Sequence, residues 1–153
     1  MIYTIDCKIR SLLYQADMPI EYWCIAAKYA VWIRNRVLTS ALPFSDDDGK
    51  HQSGIVPLVV YTNIQLDFNK LKVFGCAAMP IQLKEKQPTG GKFMPRFQTT
   101  NFIFVGMKGQ SLYLLLNMLN NIIETHVDVQ FDEYTFPIRS FYRDLGSEDY
   151  SSV

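Results

Sequence analysis

Four cations stand in one polar stretch of the chain. Between residues 80 and 100, Lys84, Lys86, Lys92 and Arg96 face a single acid, Glu85, and Phe93 and Phe97 interleave with them. That is the chemistry of a nucleic-acid contact: cations release condensed counterions from phosphates, and rings stack on unpaired bases. Pro88, Gly90, Gly91 and Pro95 break regular structure there, which makes the stretch a loop. A solubilising loop whose phenylalanines fold back onto the protein has the same composition. Residues alone favour that second reading, because charge runs are usually solvated faces.

Other constellations carry less. Asp46, Asp47 and Asp48 are adjacent, so on an extended loop their side chains point apart, and no further ligand follows at a calcium-loop spacing. His126 lies between Glu124 and Asp128 at alternate positions, which on a strand reads as an exposed polar face rather than a metal corner. Cys76 follows a glycine in an apolar run and reads as a buried thiol rather than a nucleophile paired with His126.

The chain of 153 residues, 48% hydrophobic and 14% aromatic, has material for one core. Its zero net charge hides an asymmetry: residues 1–38 sum to +2, 39–67 to −3, 68–110 to +6 and 111–153 to −5. No apolar run approaches the roughly 18–20 residues of a membrane span, and no secretory leader is legible. Three widely spaced cysteines, Cys7, Cys24 and Cys76, suit reduced thiols. These features predict an intracellular protein, nuclear or cytoplasmic, with no membrane partner.

The elements that must position these residues begin with residues 2–16. Ile2, Ile5, Ile9, Leu12 and Leu13 recur at helical steps, which predicts an amphipathic helix that ends before Pro19. A second helix should start at Pro19 and run to about Val37 or Leu38. It is apolar nearly all round, with Trp23, Ala27, Ala30 and Val31 on one stripe, so it should be buried in something larger. Residues 39–54 read as a loop and 57–61 as one helical turn. Residues 71–76 (Leu-Lys-Val-Phe-Gly-Cys) alternate and should form the first strand. Strands should follow at 102–106, 112–116 and 122–131, with the connection at 107–111 helped by Gly106 and Gly109. In the last strand Ile123, Val127, Val129 and Phe131 should share one face and Glu124, His126 and Asp128 the other. Residues 134–153 read as a flexible tail.

Six segments in order resemble the end of the integrase region of a Ty1/copia-type retrotransposon polyprotein. Residues 10–19 (Arg-Ser-Leu-Leu…Gln-Ala-Asp-Met-Pro) resemble its helix and the Leu-Pro that opens the next. Glu21-Tyr22-Trp23 with Ala26, Ala27, Tyr29 and Ala30 resembles its Trp-x-x-Ala helix, closed by Asn35-Arg36. The spacing from Pro57 to Cys76 resembles that from a Thr-Pro-Tyr-Glu turn to Leu-Arg-Val-Phe-Gly-Cys. Residues 102–106 resemble Gly-Ile-Phe-Val-Gly-Tyr, and 127–133 resemble Arg-Asp-Val-Val-Phe-Asp-Glu. The family's Gly-Tyr-Arg-Val-Tyr strand and Pro-Glu-Thr-Gly turn are replaced by residues 111–116 and 117–121.

The resemblance implies an α+β fold: residues 1–66 as two C-terminal helices of an RNase H-like integrase core with a linker, 67–133 as a small antiparallel SH3-like β-barrel, and 134–153 as a tail. The family joins DNA ends to a target with two divalent metals, Mg²⁺ in the full-length protein, held by two aspartates and a glutamate. No acid here matches those positions; Asp6 lies on the right helix but beyond the glutamate's place. The implied chain is therefore non-catalytic, needs no cofactor, and contacts DNA or RNA through Lys84, Lys86, Lys92 and Arg96 or other integrase subunits through its apolar second helix. A protein-interaction module, or a transposon remnant with no independent function, is the alternative.

Overall fold

The computed structural model describes residues 2–39, 44–45, 51–52, 56–63, 65–81 and 101–138. Helix α1 spans Ile2–Ala16 and buries Leu13 and Ala16, leaving Tyr3 and Tyr14 in solvent. It ends through hydrogen bonds rather than at the proline itself. Asp17 takes a left-handed conformation (φ 52°), its N–H donates to the Tyr14 carbonyl, and the Met18 N–H donates to the Leu13 carbonyl. That is a Schellman stop, with Met18 buried behind it. After Pro19 a 3-10 turn at Ile20–Tyr22 leads into α2, Trp23–Arg34, which is shorter than its apolar run suggests. The N–H groups of Arg36 and Val37 both turn back to the Ile33 carbonyl and close it.

Helix α2 packs against α1 and against the sheet, burying Ala26, Tyr29 and Ala30. It is not covered all round, since Trp23 and Val31 remain exposed. In the segment expected to be loop, two-residue strands β1 (Phe44–Ser45) and β2 (His51–Gln52) pair antiparallel. Helix α3, Pro57–Thr62, is the predicted turn, with proline in its first turn and Asn63 left-handed at its end.

The main sheet corrects the expected position of the first strand. Residues 71–76 form no strand; β3 is Ala77–Pro80. The cause is Gly75, whose φ of +79° turns the chain and brings it against α1. A Cβ there would lie 2.2 Å from the Ala16 Cβ. Strands β4 (Phe102–Lys108), β5 (Leu112–Asn117), β6 (Ile122–His126) and β7 (Val129–Asp132) complete a five-stranded antiparallel sheet in the order β6-β5-β4-β3-β7. Gly106 sits inside β4, where the register to β5 shifts between Phe104 and Gly106, not in the connection.

Strands β6 and β7 occupy opposite edges, yet only residues 127 and 128 separate them. Four strand spacings of about 4.8 Å make roughly 19 Å, and three residue steps reach about 10 Å. The sheet must therefore curl until its edges approach. Ring contacts across the curl agree, with Phe131 of β7 4.9 Å from Tyr113 of β5 and 5.5 Å from Phe104 of β4. The sheet is an open, curled α+β layer rather than a closed barrel.

The break between β6 and β7 also overturns the predicted faces of the last strand. In β6 Glu124 and His126 are half-buried while Ile123 and Val127 stand 42% and 60% exposed; in β7 Val129 and Phe131 are the half-buried pair. The inward positions change from even to odd across the two-residue link, so the alternation slips by one.

One apolar cluster joins the helices and the sheet, and Tyr29 sits at the joint. Its ring lies 5.2 Å from Phe104 edge-on and 5.9 Å from Phe74, and its hydroxyl donates to the Lys72 carbonyl. Strand β4 is buried from Phe102 to Met107, covered by α2 outside and by the curl inside. The start of the tail joins this core, since Ile138 is buried and Phe136 packs against it.

Candidate nucleic-acid interface

Lys84, Lys86, Lys92 and Arg96 lie outside the described residues, as do Asp46, Asp47 and Asp48. What the structure fixes is where the basic stretch leaves and returns. Strands β3 and β4 are hydrogen-bonded neighbours, with Ala77 opposite Ile103 and Ala78 opposite Phe102. At the exit the Ile81 N–H donates to the Asp128 carbonyl at 3.0 Å. At the return the Met118 N–H donates to the Asn101 carbonyl at 2.9 Å. Both ends of residues 82–100 are thus tied to one end of the sheet.

At the opposite end of β4 lies a small cleft of about 80 Å³, lined by Trp32 and Arg36 of α2's end, by residues 65–68, 70 and 71, and by Gln110 of the β4–β5 connection. Its back wall is a tight set of contacts. The Trp32 Nε1–H donates to the Gly109 carbonyl at 2.9 Å, and the Arg36 Nη2 donates to the same oxygen at 3.4 Å. The Arg36 guanidinium lies 3.7 Å from the Trp32 ring centroid and donates through Nη1 to the Trp32 carbonyl. Burial lowers the Arg36 pKa, but a guanidinium starts high enough to stay charged. On the open side, Phe68 is 57% exposed. Asp67 uses its carboxylate on the Asn69 N–H, capping the 3-10 turn Phe68–Lys70. Sequence reasoning counted Lys70 only in the charge of residues 68–110 and Arg36 in a motif, and nothing in their spacing of 34 positions signalled that folding brings them to one cleft.

The remaining candidates acquire no catalytic geometry. The His126 Nε2 lies 3.4 Å from the Glu124 Oε2 without an aligned hydrogen bond, and its ring stands edge-on to Phe102 at 5.7 Å. This pair lines the inner side of β6, not the exposed face expected of it. Cys76 is fully buried, and burial first, then the Glu133 charge, pushes its thiol up to about 12. That is the reverse of an activated nucleophile. Cys7 and Cys24 are exposed free thiols. Among the described residues no three of His, Cys, Asp and Glu are grouped to hold a metal ion. No helix among the described residues is long and apolar enough to cross a membrane.

Comparison with curated proteins gives the class that the ordered motifs resemble: the chain is similar to retrovirus-related Pol polyproteins of copia-type plant transposons. The particular relatives include the polyprotein of transposon RE2 of Arabidopsis thaliana, 30% identical over 83% of this chain, and that of transposon RE1 of the same plant, 27% identical over 89%. A third is the polyprotein of transposon TNT 1-94 of Nicotiana tabacum, 33% identical over 55%. The chain spans only 8%, 8% and 6% of those relatives, so it corresponds to a small piece of each. No protein-family model matches the chain. No solved structure matches it significantly.

Proposed function

We propose that this chain is a non-catalytic piece of the integrase region of a retrotransposon polyprotein, and that it contacts nucleic acid through Lys84, Lys86, Lys92 and Arg96. The observation that supports the reading is that Ile81 and Asn101, which flank the four cations in the sequence, are hydrogen-bonded at one end of the sheet. The SH3-like description of the sheet belongs to the same proposal. In two-metal phosphoryl transfer, convergent carboxylates hold ions about 3.5–4 Å apart. The described acids are dispersed, and the chain by itself performs no strand transfer.

The test is DNA binding as a function of salt. Replacing all four cations with Gln should weaken binding and flatten the log–log salt slope by about three for a single strand. An unchanged slope sinks the assignment. In parallel, strand transfer in Mg²⁺ or Mn²⁺ that chelation abolishes would overturn the non-catalytic half of the reading.

A second reading rests on α2. Ile20 of the preceding turn and Trp23 and Val31 of the helix are 66%, 52% and 41% exposed, apolar surface suited to another integrase subunit. Light scattering decides it: Trp23→Ser should convert an assembled species to monomer. Trp32 is unsuited to the same test, because it already packs on Tyr29 at 5.7 Å and on Arg36.

A further inference from the structure

We propose that the cleft between the end of α2, the 3-10 turn Phe68–Lys70 and the β4–β5 connection is a stacking subsite for one unpaired nucleotide of a single strand. The proposal rests on the nucleic-acid reading above but uses different residues, at the other end of β4.

The cleft's inner contacts are explained by folding, whereas its rim is not. Trp32 is already engaged, with Arg36 at 3.7 Å and Tyr29 at 5.7 Å from its ring, so its faces are unavailable to a ligand. Phe68 is the open ring, 57% exposed on a short turn. Lys70 stands two residues further on, and no acid among the described residues pairs with it. Gln65 and Gln110 also line the cleft and add amides. A ring, a cation on the same turn, and amides that both donate and accept are the parts that take a base face, a phosphate and a base edge. The volume of about 80 Å³ is too small to enclose a free nucleotide. It suits one unit of a strand that passes over the rim. A paired base would keep its faces inside the duplex, so the ligand class is single-stranded DNA or RNA.

Seven residues of β4 at about 3.3 Å each separate the two ends of the sheet by roughly 23 Å. Ile81 and Asn101, which flank the basic stretch in the sequence, therefore lie at the other end of β4 from the cleft.

Trp32 offers a local reporter, since the chain's only other tryptophan is Trp23. In a Trp23→Phe background, the full chain is titrated with oligothymidylate and oligouridylate of about ten nucleotides. Binding is followed by anisotropy of a labelled strand, and Trp32 emission is read in parallel. Saturable quenching of Trp32 that tracks binding is expected. Phe68→Ala should weaken binding roughly tenfold and abolish the quench, and Phe68→Tyr should retain both. Lys70→Gln should shallow the salt slope by about 0.7. The two oligonucleotides distinguish DNA from RNA as the source of the base. Binding that leaves Trp32 emission unchanged and tolerates Phe68→Ala overturns the subsite while sparing the loop assignment. No binding to either oligonucleotide or to duplex overturns both. Circular dichroism of each variant guards against misfolding, which the exposure of Phe68 makes a minor concern.

Discussion

Gly75 brings the chain that enters the sheet against the end of α1, at Ala16. Gly75→Ala should cost more than about 3 kcal/mol, from a left-handed backbone of about 1–2 kcal/mol plus the overlap with Ala16. Adding Ala16→Gly removes the overlap and leaves the backbone strain, so a double-mutant cycle by urea unfolding should show clear coupling. Additive costs would mean the contact is misplaced. Thiol chemistry gives a second residue-scale expectation. At pH 8 Cys7 and Cys24 should react rapidly with a thiol reagent, and Cys76, buried and with its pKa pushed to about 12, only after unfolding. Because the folded pKa of Cys76 is raised, its contribution to stability is complete below about pH 8.5, the ordinary value, and is lost as pH climbs toward 12. Asp132 has the opposite sign. The Thr135 hydroxyl and then the Tyr134 N–H hold its pKa down, so its contribution is present above about pH 3.9 and disappears as pH falls through the lower folded value. Asp132→Asn should accordingly lose less stability than the parent between about pH 5 and 2 in an acid-unfolding series.

At the scale of the element, the helices and the central strands were legible because their patterns are long or bounded. Helix α1 carries its apolar steps through four turns, and residues 102–106 form a continuous apolar run that becomes β4, the strand buried on both sides. The strand expected at 71–76 failed because alternation cannot register that Gly75 turns the backbone. The last strand failed for a related reason: its alternation is clean on paper, but residues 127 and 128 interrupt it in space. A direct check follows. Ile123→Lys and Val127→Lys should shift stability by less than about 0.5 kcal/mol, since both side chains face solvent. Phe131→Ala, which empties a position among Phe104, Tyr113 and the Lys72 chain, should cost several-fold more. If the lysines unfold the protein, the sequence-derived faces were right. The cleft was illegible for another reason: Trp32, Phe68 and Gln110 come from three separate segments, and only the tertiary fold makes them neighbours.

For the molecule as a whole, the helices and the sheet share one core. Leu13, Ala16, Tyr29, Phe74 and Phe104 belong to a single cluster, and the Tyr29 hydroxyl both donates to the Lys72 carbonyl and accepts from the Lys72 N–H. Tyr29→Phe leaves that carbonyl without its buried partner and should cost about 1–2 kcal/mol. Its effect should appear equally in helical and sheet signals, with one urea transition. Two transitions would mean that residues 2–34 and 77–138 are separate folding units. A chain built this way cannot be divided between its helices and its sheet without exposing Phe74 and Phe104.

The link at residues 127–128 has a consequence for how this gene segment tolerates change in length. Loss of one codon there would bring the two halves of the bent strand into phase. A straight strand could then hold Glu124, His126, Val129 and Phe131 on one face, and nothing would force the bend that carries the second half to the far edge of the sheet. Codon loss at the hairpin tip near Asn120 carries no such penalty, so tolerated deletions should cluster at the tip and be missing from the bend.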